Sequence, residues 1–279
     1  MYNIELGPLS FSFHKTVRVA DNEEPANLPP SLGNFELFKV SDYMCPESWD
    51  KDAYFIAMHS KEAMWISFQT VTPVAVMIGA GSVNALDGKP FGEKLEKDNY
   101  LVTPPQPWLD GWKTEDGSVY QFIATEAGEN KTIGEQLAKT KDHAIVFSVY
   151  EPKNPEKFKN QFVGRNVLAF GGGLECCSLV QCASGCASLT NEMGLGKGGK
   201  IIQKIYDDPY GIEEWKETPT KTMKVYLINA SEFSEITGKE LPLPVSEENY
   251  NGLWYGLEDE HMKDIKGNNV FDELKGAIK

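Results

Sequence analysis

NYLVTPPQPWLDGW, residues 99–112, decides how the rest of the chain is read, together with VYQFIAT at residues 119–125. Two consecutive prolines and a third at Pro107 fix φ and push the residues before them toward extended backbone. Trp108 and Leu109 then offer a large apolar contact, and Asp110-Gly111 turns the chain toward Trp112. A stiff, apolar corner of this kind belongs where two layers of a fold meet. The aromatic and β-branched run after it is a strand. Neither stretch carries recognisable catalytic chemistry.

Strand signals continue on both sides of the corner. Residues 4–20 read as a strand pair, with Phe11, Phe13, Lys15, Val17 and Val19 on one face and Ser12, His14, Thr16 and Arg18 on the other. Residues 35–40, 54–58, 73–79, 144–150 and 223–228 are further strands, and residues 200–206 form a half-buried one. The apolar run at residues 63–68 is assigned to a helix starting near Lys61 and Glu62. Thr132 followed three residues later by Glu135 is a capping-box signal for a short helix over 132–139. Residues 231–237 form another, capped by Ser231 and stopped at Gly238, and the tail at 258–279 has room for a short amphipathic one. Proline-rich residues 23–33 are an irregular connection, and the charged stretch 151–160 marks a boundary between residues 1–150 and 151–279 if the chain is divided at all. The fold class expected is mostly β with short helices, all-β or α+β, as a sandwich or paired barrel-like sheets around one continuous core.

Composition narrows the function classes. A length of 279 residues with 41% hydrophobic residues supports a substantial core, and 25 glycines with 16 prolines favour strands and tight turns. A net charge of −14 argues against a nucleic-acid partner, which needs a basic footprint. No apolar run is long enough to span a membrane, and the first residues lack the basic and apolar regions of a secretory signal. Five cysteines, an odd number, fit a reducing cytoplasm better than a disulfide framework.

Several motifs have to be weighed. GLGKGGK at residues 194–200 matches the Gly-x4-Gly-Lys of a phosphate-binding loop, but Ile201 stands where a hydroxyl should hold Mg²⁺, and no helix follows to receive phosphates. A flexible glycine hairpin or loop is the reading preferred. Cys176, Cys177, Cys182 and Cys186 offer thiolates, yet their spacing cannot form two separate knuckles, so neither a metal nor any other cofactor is expected. Gly79-Ala80-Gly81-Ser82 lacks the glycine spacing of a nucleophile elbow. His14, His59, His143 and His261 are too dispersed for a helical metal motif. Asp110 and Asp116 flank Trp112, and acid pairs beside tryptophan occur in sugar-cleaving clefts.

The segments LPPSLGNFELFKVSDY (28–43), KEAMWISF (61–68), PPQPWLDGW (104–112), VYQFIAT (119–125), MGLGKGGKIIQKIYDDPYG (193–211) and ITGKELP (from Ile236) occur in this order. Together they resemble a family of soluble proteins of bacteria and fungi with no established activity. The resemblance covers most of the chain and implies no catalytic residue.

The expectation is a non-catalytic structural or binding protein that associates with itself or with a protein partner, using Leu253, Trp254 and Tyr255 as candidate contact residues. The alternative is a small-molecule or carbohydrate-active enzyme, or a sugar-binding protein, with Trp108, Asp110, Trp112 and Gln121 lining a cleft. No catalytic residue is assigned.

Overall fold

Period-two alternation governs the chain, and two open sheets stacked face to face result. The computed structural model describes residues 1–21, 24–158, 193–244 and 261–277. In chain order the strands are β1 (Ile4–Leu6), β2 (Leu9–Thr16), β3 (Phe38–Lys39), β4 (Tyr54–Ala57), β5 (Ala63–Gln69), β6 (Val74–Ala80) and β7 (Val83–Asn84). They continue as β8 (Leu101–Thr103), β9 (Trp108–Leu109), β10 (Gly111–Lys113), β11 (Ser118–Glu126), β12 (Ile145–Tyr150), β13 (Met193–Ile202) and β14 (Lys221–Ile228). One sheet runs β1-β2-β5-β11-β10, with β9 joined to β5 and β13 to β11. The other runs β3-β4-β14-β12-β6-β7, with β8 joined to β6. The fold is a mostly β sandwich, as expected.

The main core lies between the sheets. Phe11 and Phe13 of β2, Met64, Ile66 and Phe68 of β5, and Phe122 of β11 meet Val76, Ile78, Phe147, Val225 and Leu227 from the other sheet. Phe11 stacks on Phe147 with ring centroids 4.2 Å apart. The second sheet is buried on its outer face too. There Phe38, Phe55, Tyr226 and Phe233 form one cluster, and Ala75, Met77, Tyr150 and Trp215 form another. Double burial explains why VAVMIGA in β6 is continuously apolar rather than alternating.

Five elements differ from the sequence reading. Residues 63–69 are the strand β5, not a helix: Met64, Ile66 and Phe68 point into the core while Trp65 and Ser67 are only half-buried. GLGKGGK is neither a flexible hairpin nor a loop but most of one continuous strand, β13, paired with β11 along nearly its whole length. The strand expected at 35–40 shrinks to β3, because Val40–Asp42 closes into a 3₁₀ turn. The helix α1 (Ala230–Thr237) is capped by Asn229 rather than Ser231, in a reciprocal box with Glu232, and it stops at Gly238 as read. At Gly134–Ala138 the helical turn does carry the expected box, with Glu135 N–H donating to Thr132 Oγ1 at 3.1 Å and Thr132 N–H donating to Glu135 at 3.2 Å. Residues 261–277 run as turns and isolated bridges, without the expected helix.

Candidate functional site

The proline corner positions the four residues first singled out. Thr103–Pro104 and Pro104–Pro105 are both cis, and the chain leaves them as β9 on the edge of β5. Ile66 faces Leu109 and Ser67 faces Trp108. Past Asp110 the chain transfers to β11, where Gly111 faces Gln121 and Trp112 faces Tyr120. Asp110 therefore stands at a fork: its carbonyl accepts from Phe122 N–H at 3.1 Å, and its own N–H donates to Gln203 Oε1 at 2.9 Å.

The four side chains do not converge on an open cleft. Trp112 is fully buried against Phe122 and Phe271, and its indole N–H donates to the Gly196 carbonyl at 3.2 Å. Gln121, also fully buried, spends its amide on main chain: Nε2 donates to the Val17 carbonyl at 2.9 Å and Oε1 accepts from Val19 N–H at 3.0 Å. Trp108 is half-buried and packs against Val19, Leu28, Val119 and Ile201. Asp110 is 1% exposed, and neither of its carboxylate oxygens has a hydrogen-bond partner among the described residues. Burial holds its carboxyl well above the usual carboxylate range; the Trp108 indole beside it favours the anion but does not reach hydrogen-bond geometry and does not outweigh burial.

Sequence reasoning missed the polar groups that clamp this corner. Gln106 Nε2 donates to the Trp108 carbonyl at 2.9 Å, while its Oε1 accepts from Tyr206 N–H at 2.8 Å. Lys113, with no side-chain exposure, pairs with Asp264 at 2.7 Å and donates to the Gln203 carbonyl at 3.2 Å. Asp264 also accepts from Ile205 N–H at 2.8 Å. Buried polar side chains in strand-forming sequence are the signal for such clamps, but their partners cannot be read from spacing.

His14 was missed as well. Its ring stacks flat on Trp65, centroids 3.8 Å apart, with Nδ1 2.8 Å from Ser31 Oγ and Nε2 2.8 Å from Ser67 Oγ. Burial lowers its pKa to about 4, so the ring is neutral at pH 7, one nitrogen donating and the other accepting. The indole N–H of Trp65 is buried with no hydrogen-bond partner among the described residues.

The other candidates do not assemble into a reactive centre. Asp116 faces Thr114, Ser118 and Lys200 rather than Asp110. Burial raises its pKa, but the Lys200 ammonium and the two hydroxyls outweigh that and hold it below the usual range. An open depression of about 460 Å³ is lined by Asp21, Glu129, Lys131, Lys197 and Lys275, but Lys131 pairs with Glu129 and Lys197 donates to the Phe271 and Asp272 carbonyls at 2.9 and 3.0 Å. No group of three or more metal-ligating side chains occurs among the described residues. Cys176, Cys177, Cys182 and Cys186, and the candidate contact residues Leu253, Trp254 and Tyr255, lie outside the described residues. No helix among the described residues is long and apolar enough to cross a membrane. No protein-family model, curated protein or solved structure matches the chain.

Proposed function

We propose that the protein is a non-catalytic structural or binding protein, cytoplasmic, that associates with itself or with a protein partner. The observation that carries this reading is where the corner's polar groups are spent. Gln106, Gln121, Gln203, Lys113 and Trp112 all donate to the chain's own carbonyls, so their geometry serves the sandwich. An enzyme of the acid-pair kind needs two carboxylates facing one substrate bond. Here Asp110 is sealed and Asp116 is tied to Lys200.

Two features favour association. β1 ends its sheet, paired only with β2 among the described strands, and an unpaired edge invites another strand. Beside it Met1 and Tyr2 are exposed apolar residues. A charge of −14 keeps free subunits apart in the absence of such anchors, and Trp254 in the YNGLWYG stretch is the anchor proposed from sequence. Light scattering at tens of micromolar protein should give a mass above that of one chain, and Trp254→Ala should lower it. A single-chain mass for the wild type, with no partner recovered, removes the reading.

A further inference from the structure

We infer that Ser31 is a nucleophile: His14 takes its proton, Ser67 holds His14 in place, and the serine accepts an acyl group from an activated ester or thioester. This goes beyond the function proposed above without displacing it, because one acyl group accepted per chain is a modification rather than turnover.

Three side chains from three parts of the sequence line up. Ser31 Oγ stands 2.8 Å from Nδ1 of His14, and Ser67 Oγ stands 2.8 Å from Nε2 of the same ring. A nucleophile within hydrogen-bond reach of a base, whose far side is held by a third group, is the arrangement that activates a serine. The direction of the hydrogens follows from the acceptors present. Ser31 Oγ accepts the Gly33 N–H at 3.2 Å. For its own hydrogen the described residues offer two acceptors, His14 Nδ1 at 2.8 Å and the Gly33 carbonyl at 3.5 Å, and the shorter contact makes the better bond. Nδ1 is therefore the acceptor. In a neutral imidazole Nε2 then carries the hydrogen and donates to Ser67. This is the tautomer a base needs, and burial keeps the ring neutral at pH 7.

The parts are held in place. The His14 ring lies on Trp65 with an interplanar angle of 4° and centroids 3.8 Å apart, and the pairing of β2 with β5 sets those two residues opposite each other. The stretch that carries Ser31 is pinned to β2 on both sides. Thr16 Oγ1 donates to the Pro30 carbonyl, Leu32 N–H donates to the Lys15 carbonyl, and Lys15 N–H donates to the Gly33 carbonyl, each at 2.8 Å. Serine and imidazole are thus already oriented when a donor arrives. Ser31 itself is exposed, so the donor reaches it from solvent. An open surface position fits a small donor chosen by its reactivity rather than by its shape.

In the step itself Ser31 Oγ bonds to the acyl carbon, and the bond from that carbon to the donor's alcohol oxygen or thiol sulfur breaks. The hydroxyl proton passes to His14 Nδ1 and on to the departing anion, so no further reactant is needed.

Treating the full chain with 4-nitrophenyl acetate and mapping the acetyl groups by peptide mass spectrometry tests this. Ser41 is the internal reference: it is exposed, and its hydroxyl donates to Asp42 at 3.1 Å rather than to an imidazole. Ser31 should be acetylated about a hundredfold faster than Ser41, the lower end of what a general base contributes. His14→Gln should bring Ser31 down to the Ser41 rate. Ser67→Ala should slow Ser31 several-fold, and Ser67→Thr, which keeps the hydroxyl, should restore it. Equal rates at Ser31 and Ser41 in the wild type, or a fast Ser31 in His14→Gln, would overturn the proposal. Should His14→Gln fail to fold, the wild-type comparison and the two Ser67 variants decide, and a Ser31 rate unmoved by Ser67→Ala would equally overturn it.

Discussion

Gly111 has no room for a side chain, because a Cβ there would fall inside contact distance of the Tyr120 carbonyl and carbon on the paired strand. Backbone on a central strand cannot retreat as a flexible side chain can. Gly111→Ala should therefore cost about 3 kcal/mol, at the upper end of overpacking, or prevent folding, as read from urea denaturation. The two tryptophans that bracket this glycine should behave differently. Trp112, fully buried and hydrogen-bonded to Gly196, should lose about 3–5 kcal/mol on truncation to Ala, and Trp108, half-buried, distinctly less. Equal losses in denaturation midpoints would contradict the asymmetry of their burial.

Elements whose alternation is written in large side chains were legible in the sequence. β2, β11, β12 and β14 each present β-branched or aromatic residues at the right period, β6 shows itself as a short unbroken apolar run, and each lies where it was read. β5 was misread because all its residues except Ser67 and Gln69 are apolar, so the outward Trp65 disguised the alternation. β13 was misread for the opposite reason. Its glycines contribute no strand propensity, and they are required because neighbours press on the backbone: Gly199 meets the Ala20 carbonyl and Gly194 meets His143. Tertiary contact, not local preference, makes that strand. The corner itself was legible, but the use of its polar groups was not, since Lys113 and Asp264 are 151 positions apart. That ion pair ties β10 to the segment after β13 and to the C-terminal region. Asp264→Ala should strand a fully buried ammonium and cost about 3 kcal/mol, whereas Glu129→Ala, breaking a more exposed pair, should leave the urea midpoint nearly unchanged.

At the scale of the whole molecule, stability should fall on acidification before most carboxylates are protonated. His14 titrates at the ordinary 6.5 when unfolded and at about 4 in the fold, so the unfolded chain binds the extra proton between those values. The neutral-histidine contribution is complete above 6.5 and is lost as pH falls toward 4, a change of about 3 kcal/mol at full burial. His143, lowered by burial against the opposing pull of Glu135 and Asp142, acts in the same direction. Urea midpoints should decline across this window, and His14→Gln should flatten part of the decline. An unchanged slope in that variant would show that His14 does not govern it.

The parallel pairing of β4 with β14 has a consequence for how the chain is made. β14 lies between β4 and β12, so one sheet stays split until residues near the end of the sequence have emerged. On a ribosome the earlier strands must wait with two unsatisfied edges facing each other across the gap. Chains terminated before Lys221 are expected to stick to one another rather than fold. The last strand among the described residues is thus the keystone of the second sheet, and premature termination should yield insoluble product rather than a smaller working domain.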